Sequence, residues 1–141
     1  MSTIRLEKKY PVPKEILWRY LTEDALLSAW CMPTKYFALE KGKEFIFKSA
    51  SSIFWDGRFY NTILGFSENT YLTYKCTSRR PKLNTVVKWM LAEANGETTL
   101  VLEHSDFRIS NWLTKIMLRV GWKKMMDTHL YQKLLAHREY A

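Results

Sequence analysis

The chain has 141 residues, 47% of them apolar and 26% charged, with a formal charge of +8. That length fits one domain over residues 1–141, since domains run to about 100–200 residues, and it suffices for a substantial core. No stretch approaches the roughly 18 consecutive apolar residues that a membrane span requires. MSTIRLEKKY at the start lacks a signal-peptide core, so a cytoplasmic protein is expected. Cys31 and Cys76 lack C-x-x-C spacing and a companion histidine cluster, which argues for reduced thiols over a zinc site or disulfide framework.

Ile4 to Tyr10 alternates weakly and stops at Pro11 and Pro13, as a first strand would. Pro13 suits the first position of a helix in which Ile16 and Tyr20, and Leu17 and Leu21, lie at i, i+4. Thr22 is positioned to cap a second short helix carrying Leu26, Leu27 and Trp30. Both helices are too short to stand alone and must lie against something. Hairpins follow. Tyr36 to Glu40 and Glu44 to Lys48 flank Lys41-Gly42-Lys43, Phe54 to Phe66 and Thr70 to Cys76 flank Ser67-Glu68-Asn69, and Asn84 to Glu93 and Glu97 to His104 flank Asn95-Gly96. Gly57 and Gly65 mark places where bulges would curve the sheet. From about Ile109 the pattern is helical to the end, with one apolar stripe of Leu113, Ile116, Met117 and Val120 and another of Leu118, Trp122, Met125, Met126, His129 and Leu130. Gly121, where the stripe rotates, predicts a bend or a close approach.

The charge is uneven. Lys75, Arg79, Arg80, Lys82 and Lys88 form an acid-free interval, a second basic interval covers residues 108–141, and Glu93, Glu97, Glu103 and Asp106 lie between. No nucleic-acid reading motif accompanies these charges, so they are read as a solvated loop and the outer face of a helix, with no nucleic-acid partner. P-loop, G-x-G-x-x-G, H-E-x-x-H and G-x-S-x-G motifs are absent, and His104, His129 and His137 are too scattered in sequence to indicate a metal. No cofactor or metal is therefore expected. Adjacent His104-Ser105-Asp106 cannot supply triad geometry.

The order β-α-α, six strands in hairpins, then one long helix resembles the helix-grip fold of the START-like (SRPBCC) superfamily, an α+β class with a curved antiparallel sheet of about seven strands. V-P-K-E-I-L-W-R-Y-L-T at 12–22 with Trp30, D-G-R-F at 56–59, N-G-E-T-T-L-V-L-E-H-S-D-F at 95–107 and G-W at 121–122 resemble the domain of heat-shock protein 90 ATPase activator homologues. The resemblance implies an apolar cavity between sheet and C-terminal helix, closed at one end by ILWRYLTEDALLSAW. It also implies aliphatic residues where this chain has Met126 and His129, so that His129 would add a titratable group to an apolar wall.

Strand and helix phase place Trp30, Phe45, Phe47, Phe59, Tyr74, Trp89, His104, Trp122, Met126 and His129 around such a cavity. Trp30, Trp89 and Trp122 are expected to border one internal space. Their pattern, a few polar tips on apolar walls, is that of a small-molecule site. The reading favoured is non-catalytic binding of a hydrophobic or amphipathic molecule or lipid, with Lys75, Arg79, Arg80 and Lys82 as a rim for an anionic headgroup. The alternatives are a cyclase-, dehydratase- or hydrolase-like enzyme using His129 or His104 as base and Tyr74 as donor, and a chaperone-regulating interaction domain with a protein partner.

Overall fold

The computed structural model describes residues 2–53 and 55–140, with side chains through residue 137. Seven strands form one sheet: β1 (Ser2–Tyr10), β2 (Thr34–Lys35), β3 (Glu44–Lys48), β4 (Arg58–Ser67), β5 (Tyr71–Arg79), β6 (Lys82–Ala94) and β7 (Glu97–Phe107). Their order is β1-β7-β6-β5-β4-β3-β2, with every neighbour antiparallel. Helices α1 (Lys14–Thr22) and α2 (Asp24–Trp30) follow β1. Because β1 and β2 occupy opposite edges of the sheet, those two short helices are the connection that carries the chain from one edge to the other. That is why they come so early in the sequence.

The meander β2 to β7 follows its turn chemistry. Asn95 and Gly96 both take positive φ (55° and 76°), the requirement of the two-residue hairpin turn whose twist suits the flanking strands. A register shift between Ile63 and Gly65 is the bulge expected beside Gly65. Gly57 has φ 81°, and a Cβ there would collide with the Ser49 carbonyl, whose own backbone N–H donates to the Gly57 carbonyl at 2.7 Å. Glycine is thus required for the loop after β3 to close on β4. Side chains on one face alternate inward with period two: Leu72, Tyr74, Cys76 and Ser78 on β5, then Leu83, Thr85, Val87, Trp89 and Leu91 on β6.

After a 3-10 turn (Ile109–Asn111), α3 (Trp112–Lys124), a π-helical segment (Met125–Leu130) and α4 (Tyr131–Tyr140) run on as one long helix. Its two halves are held differently. Of the residues of α3 only Trp122 is buried, whereas Met126, Leu130 and Leu134 further along are almost fully enclosed. The Tyr10 hydroxyl, at the end of β1, donates to the Met126 carbonyl at 2.7 Å, within the segment where helical hydrogen bonding is rearranged.

Several local expectations are corrected. Tyr36 to Glu40 is not a strand: pairing is limited to Thr34 and Lys35, and Tyr36 turns away at φ 68°. The strand expected over Phe54 to Phe66 begins at Arg58, and Phe54 lies outside the described residues. Thr22 does not cap α2. Its hydroxyl bonds back to the Trp18 carbonyl at 2.7 Å, while Asp24 accepts the Phe37 N–H at 3.1 Å. Pro13 stands just before α1, whose Lys14 N–H donates to the Glu93 carboxylate at 2.7 Å. Nothing crowds Gly121, where an added Cβ would meet only the Met125 Cε at 3.8 Å. The irregularity in the helix falls instead on the π segment.

Candidate functional site

The interior is organised around a column of indoles. Trp30 meets Trp89 edge-on at 5.8 Å between ring centroids, and Trp89 meets Trp122 edge-on at 5.4 Å. Each indole N–H is satisfied: Trp30 donates to the Tyr20 carbonyl (2.9 Å), Trp89 to the Tyr74 hydroxyl (3.1 Å) and Trp122 to His104 Nδ1 (3.1 Å). The three rings are packed against one another rather than spread around an open space, and only Trp122 reaches a cavity wall. Phe45 is likewise enclosed by Phe37, Phe47 and Tyr74 at 4.8, 5.5 and 5.1 Å.

His104 is the one histidine inside, and its state follows from its partners. An indole N–H only donates, so Nδ1 must accept and the proton of the neutral ring sits on Nε2. Nε2 then donates to Thr85 Oγ1 at 2.7 Å, and the Thr85 hydroxyl donates to the Cys76 carbonyl at 2.9 Å. Every polar atom of this chain is used. Burial pushes the imidazole down to about 3 and the Cys76 thiol up to about 12, and it raises the Tyr74 phenol well above its ordinary value. At neutral pH the three are an uncharged imidazole, a thiol and a phenol. With its Nδ1 lone pair and Nε2 proton both committed, His104 is not free to act as a general base.

A cavity of about 60 Å³ remains between α3 and the sheet, lined by Met32, Phe47, Phe59, Cys76, His104, Met117, Leu118, Gly121, Trp122 and Met125. Of the residues expected there, Phe47, Phe59, His104 and Trp122 line it. Trp30, Phe45, Tyr74, Trp89 and Met126 are buried elsewhere in the core. His129 is corrected outright: it lies on the exposed side of the helix, outside the cavity. The cause is the π segment, which takes an extra residue per turn and delays the phase. Buried positions therefore run Trp122, Met126, Leu130, Leu134, and Leu130 takes the inward place that an unbroken 3.6-residue period offers to His129.

Two buried residues that the sequence reading passed over neighbour wall residues without lining the cavity themselves. Asn61 lies opposite Cys76 in the β4–β5 register, next but one to Phe59 on the same strand. Its side chain is buried, and neither amide atom has a partner; Ser78 Oγ, two residues beyond Cys76, is buried and unpartnered too. Unpaired buried polar atoms are uncommon and call for a reason. A polar residue at an inward strand position, between Phe59 and Ile63, was the available signal. The larger concavity, about 260 Å³, is an open groove on the outer face, where Arg79 lies over the Tyr60 ring at 4.5 Å. It encloses nothing. Among the described residues no group of three His, Cys, Asp or Glu side chains could hold a metal ion, and no helix is long and apolar enough to cross a membrane.

Residues 11–134 match the family described as Activator of Hsp90 ATPase homolog 1-like protein. The chain belongs to that family. Its START-like, helix-grip fold is shared with protein MLL2253 from Mesorhizobium loti, at 25% identity and TM-score 0.85, over 96% of this chain and 98% of that one. CalU16 from Micromonospora echinospora is similar at 22% identity and TM-score 0.74, over 89% and 71% of the two chains. The Aha1 dimer from Colwellia psychrerythraea is similar at 14% identity and TM-score 0.73, over 95% and 96%. No curated protein matches the chain at a significant level.

Proposed function

We propose that this family member binds a small, mainly apolar molecule beneath α3 and does so without catalysis. The observation that carries the reading is the cavity wall itself: apolar side chains, a neutral histidine whose hydrogen bonds are complete, and a protonated thiol. Such a wall holds a ligand and offers no base or nucleophile for chemistry on it. Sites that bury a drug-sized ligand measure about 300–1,000 Å³, so a cavity of about 60 Å³ must expand to take one. The first half of the C-terminal helix is the element free to move, because it contributes Met117, Leu118, Gly121 and Trp122 to the wall and only Trp122 is buried. Asn61 does not line the cavity as it stands, but it pairs in register with Cys76 of the wall. An expanded cavity that reached it would meet an unsatisfied donor and acceptor able to orient a ligand by a carboxylic acid, amide or phenol group.

Native mass spectrometry of the protein purified from its own host tests this. The wild type is expected to carry a small-molecule adduct. Leu118→Trp, which fills the cavity, is expected to lose it while the Tm shows a folded protein. Asn61→Leu is expected to keep apolar binding and lose its preference for an alkylphenol over the matching hydrocarbon. A wild type without adduct, and without thermal stabilisation by fatty acids or alkylphenols, would overturn the proposal.

A further inference from the structure

The outward stripe of the C-terminal helix has no partner. Ile109, Trp112, Leu113, Ile116, Met117 and Val120 are between 53% and 93% exposed. They follow one another by steps of three and one, so they form a single ridge of about 17 Å on the exposed side of the helix, with Met117 at its edge towards the cavity. The charge around this ridge has one sign. Residues 107–126 contain five basic side chains and no acidic one. Lys123 pairs with Asp127 at 2.8 Å, but among the described residues Arg108, Lys115, Arg119 and Lys124 pair with no carboxylate.

The basic β5–β6 turn sits at the same end. Asn111 Nδ2 donates to the Lys82 carbonyl at 3.2 Å, and the Arg80 guanidinium donates to the Ser52 carbonyl at 3.1 Å. The first bond holds Lys82 against Asn111, between Ile109 and Trp112, and the second ties Arg80 to the loop that carries Ile53, 84% exposed; Arg79 lies over Tyr60 on the other face of the sheet. Apolar tips and basic side chains thus converge on one surface.

We propose that this surface docks on an anionic lipid bilayer, with α3 lying in the interface and its apolar ridge dipping below the headgroups. An anionic bilayer offers both chemistries at once, negative charge above and hydrocarbon beneath. It also accepts a convex ridge without needing a matching groove. A second copy of this chain is the poorer occupant, because pairing two such faces sets basic side chains against basic side chains. Met117 belongs to both the ridge and the cavity wall, so the docked face is the one through which a membrane-borne ligand would enter. That last point rests on the cavity reading; the docking itself does not.

Co-sedimentation with vesicles of phosphatidylcholine alone, and of phosphatidylcholine mixed with phosphatidylglycerol, tests the proposal. Wild-type protein is expected on the mixed vesicles at low salt, with little on the neutral ones and release as salt is raised. Trp112→Ser/Ile116→Ser and Arg108→Glu/Arg119→Glu replace exposed side chains, so both are expected to keep their Tm and to bind about tenfold less or weaker still. Absence of wild-type binding to anionic vesicles would overturn the proposal, as would binding that neither variant changes. So would a dimer in sedimentation equilibrium that Trp112→Ser/Ile116→Ser returns to monomer while vesicles go unbound, which assigns the ridge to a second copy. Retention of any cavity adduct by both variants keeps this outcome separate from the fate of the cavity reading.

Discussion

Replacing Trp122 by alanine is expected to lower the unfolding free energy by about 3–5 kcal/mol, the range for removing a large aromatic from a core. Trp122 is 5% exposed, ends the indole column against Trp89, and is the sole buried side chain of α3. Its loss removes that ring contact, enlarges the adjoining cavity and strips His104 Nδ1 of its donor. Trp122→Phe separates these effects. The phenyl ring keeps most of the packing but has no N–H, leaving an unmet buried acceptor at about 1–3 kcal/mol. Urea unfolding of the two variants measures both. A loss below about 1 kcal/mol for the alanine variant would be that of a surface substitution and would show that α3 is not seated through this indole.

Acid is expected to unfold the protein through His104. Its folded-state value near 3 lies below the ordinary 6.5 because burial disfavours the imidazolium. The unfolded chain therefore takes up this proton first. The stability contributed by keeping the ring neutral is complete above pH 6.5 and is lost progressively as pH falls towards 3, reaching about 5 kcal/mol at most. Protonating the folded ring would also place a second N–H on Nδ1, facing the Trp122 N–H donor. Unfolding free energies of wild type and His104→Gln, measured across that window, isolate the contribution, because the variant keeps every carboxylate and loses only this proton site. Parallel pH profiles for the two proteins would refute it.

The sheet was legible because its signals are local. Asn95-Gly96 demands positive φ, Leu100, Leu102 and His104 alternate strictly, and the helical period after Ile109 is long enough to be unambiguous. The site was legible only in part, for two physical reasons. Phase carried across an irregular segment misplaces side chains, and the π turn at Met125–Leu130 moved His129 from the wall to solvent. Burial and cavity lining are also different properties. The spacing of Trp30, Phe45, Tyr74 and Trp89 establishes that they face inward, but whether their rings fill the space or surround it depends on how they interlock. Asn61 escaped notice because a single asparagine between Phe59 and Ile63 carries no motif, and its lack of partners emerges only with the fold.

The unequal seating of the C-terminal helix has a consequence for the lifetime of its backbone hydrogen bonds. Local opening needs only the loss of the contacts that hold a segment down. Lifting α3 releases one buried side chain, while lifting the stretch beyond it releases Met126, Leu130, Leu134 and the Tyr10 hydrogen bond. One continuous helix should therefore show two exchange regimes. Amide deuteration of residues 113–121 is expected to proceed through a low-energy opening, and that of residues 128–136 to approach the rate set by global unfolding. The boundary falls at the π segment, so one helix is firmly anchored beyond it and lightly seated before it.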